Sequence, residues 1–286
     1  MPRPLATVAP LVRVLVPVLA CACGGGDDGA APIDAAVDAA IDAPEGCIAP
    51  ELRDDKVVTV SGRVDDFTTG EPVRGATVDI TTAWDVPDNV PPAACPRLAS
   101  LTTDSQGRFG PVDVMAGSTQ NPPVILFIVH GGGRAPTLSD NRTCAEAHCN
   151  LGHTIAAPSS ALADAWRTEL AAGGMPQAQT RGLVAFLYKN ADGTPAAGVA
   201  PFSGNLVTVP LEPGRDVRFV GVDRATLAPA AQQATTAAGV ALVGIDAAAQ
   251  AAYLGGRRGS DTWSGTGCLV VSPAIFVEDK LVSPPP

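Results

Sequence analysis

The pattern Gly-x-Pro-x-x-Gly occurs twice, at Gly70, Pro72 and Gly75 and again at Gly193, Pro195 and Gly198. Glycine reaches backbone angles that other residues resist, and proline presets φ while removing an amide donor. A segment built this way turns a sharp corner and cannot continue a helix. In residues 57–78 the corner follows the run Val57-Val-Thr-Val60 and the acidic turn Asp65-Asp66; in residues 182–199 it follows Leu183-Val-Ala-Phe-Leu-Tyr188 and Asp192. Downstream, Thr103-Asp-Ser-Gln-Gly107-Arg-Phe109 is echoed by Thr235-Thr-Ala-Ala-Gly239-Val-Ala241. The second half reads as a diverged copy of the first. With 30 Gly and 27 Pro in 286 residues, the rest of the chain also favours short strands and turns.

Val58, Val60 and Val64 give the imperfect alternation of a strand with one buried face, whereas Val124-Ile-Leu-Phe-Ile-Val129 is continuously apolar and predicts a central strand buried on both faces. Strands at such turn-bounded intervals predict a sandwich. Val60-x-Gly62-x-Val64, Gly70-x-Pro72-Val73-x-Gly75-Ala76-x-Val78 and Thr103-Asp104-x-x-Gly107-x-Phe109 resemble the carboxypeptidase regulatory-like, or transthyretin-like (prealbumin-like), domain. The resemblance covers residues 56–115 and, in degenerate form, 181–282. It implies a seven-stranded Greek-key sandwich. A Pro-rich insertion around Trp84 to Leu98, containing Cys95, departs from the family pattern.

Between the halves, Ser159 precedes an i, i+4, i+8 stripe of Leu162, Trp166 and Leu170, with Gly173 and Gly174 behind it. Serine caps a helix N-terminus and glycine ends one, so a helix is expected here, packed across the junction. The predicted architecture is mostly β: two tandem prealbumin-like sandwiches, at 51–157 and 181–286, with a connecting helix and loop at 158–180 and a disordered N-terminal segment.

The N-terminal segment reads as an address. Arg3 and Arg13 precede the apolar run Val14-Leu-Val-Pro-Val-Leu-Ala20, which falls short of the about 20 residues a bilayer span needs and fits an export signal at 1–20. Val18-Leu-Ala-Cys21 resembles the lipobox of bacterial lipoproteins, with Cys23 as the rival acylation site. Cleavage before Cys21 leaves six further cysteines, an even number, and cleavage before Cys23 leaves five. An ordinary secretory signal cleaved around Ala20-Cys21-Ala22 is the plainer alternative. No Asp follows either cysteine, which by resemblance directs the protein to the outer membrane. Residues 21–50 then form a lipid anchor and an acidic Asp/Ala/Gly linker, with acids at 27, 28, 34, 38, 42 and 45 and no Lys or Arg. Asp34, Asp38 and Asp42 repel one another at helical spacing and favour an unfolded tether.

Three motifs bear on chemistry. His130-Gly-Gly-Gly133 resembles the oxyanion-hole loop of lipases, but the chain holds no Gly-x-Ser-x-Gly elbow to supply a nucleophile, so a glycine loop leaving a strand is expected. Cys144, His148, Cys149 and His153 have the right residue types for zinc or copper. Their spacing matches no common finger, and in an exported chain a Cys144–Cys149 disulfide is the plainer account, leaving Cys47, Cys95 and Cys268 to seek partners. Sugar platforms need clustered aromatic faces, and Trp84 is the surface candidate for ligand contact; Trp263 is the second aromatic to watch, while Trp166 belongs to the helix stripe. A net charge of −10 excludes a nucleic-acid partner.

These readings converge on a non-catalytic cell-envelope lipoprotein, a binding or structural spacer module. It is tethered to the outer membrane by its lipid, uses no cofactor, and has an envelope protein or a polysaccharide as partner. The alternatives are a carbohydrate- or polymer-binding surface protein and a metal-binding accessory protein acting through Cys144, His148 and His153.

Overall fold

A computed structural model describes residues 57–82, 97–115, 124–139, 142–143, 148–179, 183–203, 209–244, 251–269 and 275–283. The signal and tether, together with Cys21, Cys23, Cys47, Cys95, Cys144 and Trp84, lie outside the described residues.

The first half contains β1 (Val57–Asp66), β2 (Thr77–Thr82), β3 (Ala99–Thr102), β4 (Arg108–Met115), β5 (Val124–Gly131), β6 (Arg134–Ser139), the short β7 (Arg142–Thr143) and β8 (His148–Ala157). β1 pairs antiparallel with β4 and parallel with β8, while β2 pairs with β3 and β5, and β5 with β6 and β7. The second half contains β9 (Leu183–Lys189), β10 (Ala200–Ser203), β11 (Val209–Pro210), β12 (Val217–Phe219), β13 (Val240–Gly244), β14 (Ala251–Arg258), β15 (Asp261–Leu269) and β16 (Ile275–Ser283). Its pairing repeats the first: β9 is antiparallel to β13 and parallel to β16, β10 pairs with β11 and β14, and β14 with β15. β12 is an addition, paired with β13. The same strand order is thus present in both halves.

The copies match down to single hydrogen bonds. Val64 N–H donates to Gly107 O at 2.8 Å, and Tyr188 N–H to Gly239 O at 2.8 Å; Val73 N–H donates to Val64 O at 2.9 Å, and Ala196 N–H to Tyr188 O at 2.8 Å. Gly107 and Gly239 take φ of 71° and 70°. A Cβ on either would press on a backbone oxygen, Val64 O at 2.6 Å or Tyr188 O at 2.7 Å, which is why both copies keep glycine there.

The halves are more than tandem. β16 lies between them: Ile275–Val277 pair in parallel with β9 on one side and with Thr137–Ser139 of β6 on the other. Farther along, Val282 and Ser283 pair with Trp263 and Thr262 of β15. One sheet therefore runs from β12 and β13 through β9, β16, β6, β5 and β2 to β3. Within it β5 and β9 read as apolar runs because both of their faces are covered. On β5, Ile125, Phe127 and Val129 face the first core while Leu126 and Ile128 join the second; on β9, Val184, Phe186 and Tyr188 face the second core and Leu183, Ala185 and Leu187 a third.

That third core belongs to the helix, α1 (Ser160–Ala172). Ser159 Oγ accepts from Leu162 N–H at 3.1 Å at its start, and Gly173 N–H donates to Glu169 O at 2.8 Å at its end. Trp166 and Leu170 are buried among Leu183, Val240, Leu242 and Ile275 of the second half and Phe67 and Ala135 of the first. Trp166 meets Phe67 edge-on at 5.2 Å and donates from Nε1 to Ala225 O at 3.0 Å. The helix crosses the junction, as its stripe predicts.

Candidate functional site

The described residues hold one compact cluster of chemistry-bearing side chains outside the repeat corners, on the outer face of β2, β3 and β5. Asp79 stands between Val78 and Ile80 of β2, so strand alternation sends those two into the first core and Asp79 to the opposite face. Its side chain is nonetheless fully buried. Ser100 Oγ donates to Asp79 Oδ1 at 2.7 Å, the Arg97 guanidinium reaches the carboxylate at 3.1 Å, and His130 Nε2 stands 2.8 Å from Oδ2. Ser100 and Asp79 are cross-strand partners, and His130 sits two pairs further along on the same face, opposite Thr77.

This set does not form a nucleophile-activating relay. In such a relay an imidazole takes the hydroxyl proton and a carboxylate orients that imidazole; here Ser100 Oγ and His130 Nε2 each bond directly to the Asp79 carboxylate, so the imidazole does not stand between them. The carboxylate faces three donors, among them a guanidinium, as a buried charge must to offset lost hydration. The cluster can hold β3, the residue leading into it and the end of β5 to β2. Sequence reading missed it; the available signal was an acid interrupting Thr77-Val-Asp-Ile-Thr81 at a mid-strand position.

The glycines after His130 form the β5–β6 turn. Gly131, Gly132 and Gly133 have φ of 72°, 55° and 75°, and Gly131 pairs with Arg134 across it. A Cβ on Gly132 would stand 3.2 Å from Ala76 N, so glycine here serves close backbone approach. The expected glycine loop leaving a strand is what stands there. The neighbouring acids Asp65 and Asp66 are engaged apart, Asp65 with Arg63 and Asp66 with Arg134. Burial acts to raise the Asp66 carboxyl, but the Arg134 hydrogen bond and charge and the amides of Thr69 and Thr68 outweigh it and hold the group below its usual value of 3.8.

The remaining sequence candidates are dispersed. Trp263 is fully buried, donates from Nε1 to Lys189 O at 2.9 Å and meets Tyr188 edge-on, with Arg258 stacked 5.3 Å from its ring. It is a core residue of the second half, which removes it from any sugar platform. Trp166 is core as expected. His153 is buried and stacked on Phe127 at 5.3 Å. His148, Cys149 and His153 all belong to β8, which runs in unbroken register beside β1 from Val57↔His148 to Asp66↔Ala157. At about 3.3 Å per residue that spreads the Cα atoms of His148 and His153 about 16 Å apart. The side chains of His148, Cys149 and Cys268 are outside the described set, as is Cys144. Among the described residues no group of three or more His, Cys, Asp or Glu is placed to hold a metal, and no helix is long and apolar enough to cross a membrane.

No known family profile and no curated protein matches the chain. Among solved structures it is similar to the Bacillus anthracis TIE protein, at 8% identity over 79% of this chain and 34% of that one with a TM-score of 0.25. It is also similar to a streptococcal ancillary pilin, at 14% identity over 81% and 64% with a TM-score of 0.25. Klebsiella pneumoniae 5-hydroxyisourate hydrolase matches at 21% identity over 35% and 90% with a TM-score of 0.22. The chain spans about a third of the TIE protein's length. Similarity at this level carries no argument, and the architecture rests on the chain's own pairing: a mostly β protein of two like β-sandwich halves sharing one sheet.

Proposed function

We propose that the chain is a non-catalytic module of the bacterial cell envelope, exported, acylated at Cys21 and held off the outer membrane by the acidic segment that precedes β1. The observation that carries the scaffold reading is the seating of β16 between β6 and β9, which makes one continuous β body out of two like modules. Such a body transmits position and load from end to end, which suits a spacer better than an enzyme. The disposition of polar groups favours the same reading. Asp79, Thr103 and Thr235 are buried, and the partners described above and below occupy them in holding strands and corners together. A catalytic centre instead leaves a base or nucleophile open to substrate. The partner is an envelope protein or a polysaccharide.

The test is metabolic labelling of the full chain in a Gram-negative host with a palmitate analogue, alongside limited proteolysis of the purified protein. Label lost in Cys21→Ser and retained in Cys23→Ser supports the anchor as proposed, and the reverse transfers it to Cys23. An unlabelled chain refutes the anchor. Proteolysis that releases either half as a stable fragment refutes the single scaffold.

A further inference from the structure

The repeat that builds the chain also leaves two of its strand edges open, one at each end. When the copies are superposed through Val64 and Tyr188, which make the same bonds to Gly107 and Gly239, Thr59 falls on Leu183. Their parallel partners are Asn150 and Ile275, so Asn150–Gly152 of β8 occupies the place that Ile275–Val277 of β16 holds in the second copy. By the same superposition β15 takes the place of β6, since each is the second strand of the hairpin that follows β5 or β14. Inside the chain the β6 edge of the first copy accepts the β16 edge of the second. The first copy's β8 and the second copy's β15 beyond Trp263 are the same two kinds of edge, and among the described residues neither has a second partner strand.

Edge chemistry separates these two from the rest. Exposed edges are normally guarded by charge, by proline or by shortness. β4 carries Arg108, Pro111 and Asp113; β12 has three residues with Arg218 in the middle; β11 has two residues ending in Pro210; β3 has four. β8 runs ten residues, His148-Cys-Asn-Leu-Gly-His-Thr-Ile-Ala-Ala157, with no Lys, Arg, Asp, Glu or Pro, and Ser264-Gly-Thr-Gly-Cys-Leu269 of β15 has none either.

We infer that these edges bind one another between copies: β15 of one molecule pairs in parallel with β8 of the next, reproducing the β6–β16 junction. The partner is a second copy of this chain. The contact is heterologous, with different surfaces meeting, so both edges are used again by further copies and the product grows head to tail beyond a dimer. This inference gives the scaffold reading its partner and rests on it for its biological sense, while the strand geometry stands by itself. Each copy carries a net charge of −10, so repulsion opposes the contact and added salt strengthens it.

The test uses the full chain in detergent with reductant present, so that disulfides cross-link nothing, and sedimentation velocity as the readout. One variant, Gly152→Lys, places a charge on the β8 edge at a position where a Cβ meets nothing within 4 Å. The other, Gly267→Lys, charges the β15 edge. Circular dichroism checks that each is folded; if either is not, Thr154→Lys, at an exposed position of β8, or Ser264→Lys on β15 takes its place. The expected result is concentration- and salt-dependent growth of the unsubstituted chain past the dimer and monomer for each variant alone. Mixing the two variants then gives a 1:1 dimer and nothing larger, because each supplies the one edge the other lacks. A chain that is monomeric at every concentration overturns the inference, as does assembly that either variant retains by itself. Failure here leaves acyl labelling unaffected, and loss of labelling leaves assembly unaffected, so the two readings fall separately.

Discussion

The buried hydroxyls of Thr103 and Thr235 are the sharpest way to test whether the two halves are equivalent copies within one cooperative body. They are 4% and 3% exposed. Thr103 Oγ1 donates to Val73 O at 2.7 Å and accepts from Ala76 N–H at 2.9 Å; Thr235 Oγ1 donates to Ala196 O at 2.7 Å and accepts from Val199 N–H at 2.9 Å. Thr→Val keeps the shape and strands one buried N–H and one buried C=O. Each unsatisfied group costs roughly 1–3 kcal/mol, partly offset by the easier burial of a methyl, so about 2–3 kcal/mol is expected for each variant. The two sites share no partner, and the double variant should lose about the sum, roughly 4–6 kcal/mol. Urea unfolding in a Trp84→Phe background measures this with two probes. Circular dichroism reports all strands, whereas Trp166 and Trp263 report on the helix core and the second core. Because β16 ties both halves into one sheet, Thr103→Val should shift both probes together although it lies in the first half. A cost below about 0.5 kcal/mol for either variant refutes the hydrogen-bond argument. A fluorescence transition that stays in place while circular dichroism splits in two refutes the single body.

Gly107→Ala and Gly239→Ala should each destabilise by about 3 kcal/mol or more, adding a clash with a backbone oxygen to the left-handed φ. Gly70→Ala, at φ 74° with open space around it, should cost only about 1 kcal/mol, and thermal unfolding compares the three. Asp66 has its folded-state carboxyl held below 3.8, so its contribution is present above that value and is lost as pH falls through the lower folded-state value. Acid unfolding of Asp66→Asn should therefore show a shallower loss of stability below about pH 4 than the unsubstituted chain. Trp166→Ala removes a buried ring that touches Phe67 and bonds Ala225 O, and should cost about 3–5 kcal/mol, read from denaturant midpoints.

Much of this was legible in the residues, because glycine and proline act locally. The corners at Gly70-x-Pro72 and Gly193-x-Pro195, the helix between Ser159 and Gly173 and the two-faced burial of residues 124–129 each follow from properties of residues close together in the chain. The sequence also marked Gly107 and Gly239 as equivalent, and the structure shows the shared reason, a backbone oxygen under 3 Å from where a side chain would begin. Asp79 was hidden because its partners Arg97, Ser100 and His130 come from two other stretches of chain, and single-strand alternation carries no record of them. Trp263 lay among glycines and threonines that suggested a surface, yet Tyr188, at the far end of β9, encloses it. Local residue patterns were enough to indicate a mostly β chain built of two like halves. That the halves share a sheet came from the folded molecule alone, since the pairing of Ile275–Val277 with Thr137–Ser139 joins residues that no local rule connects, and backbone hydrogen bonds between strands carry no side-chain signature.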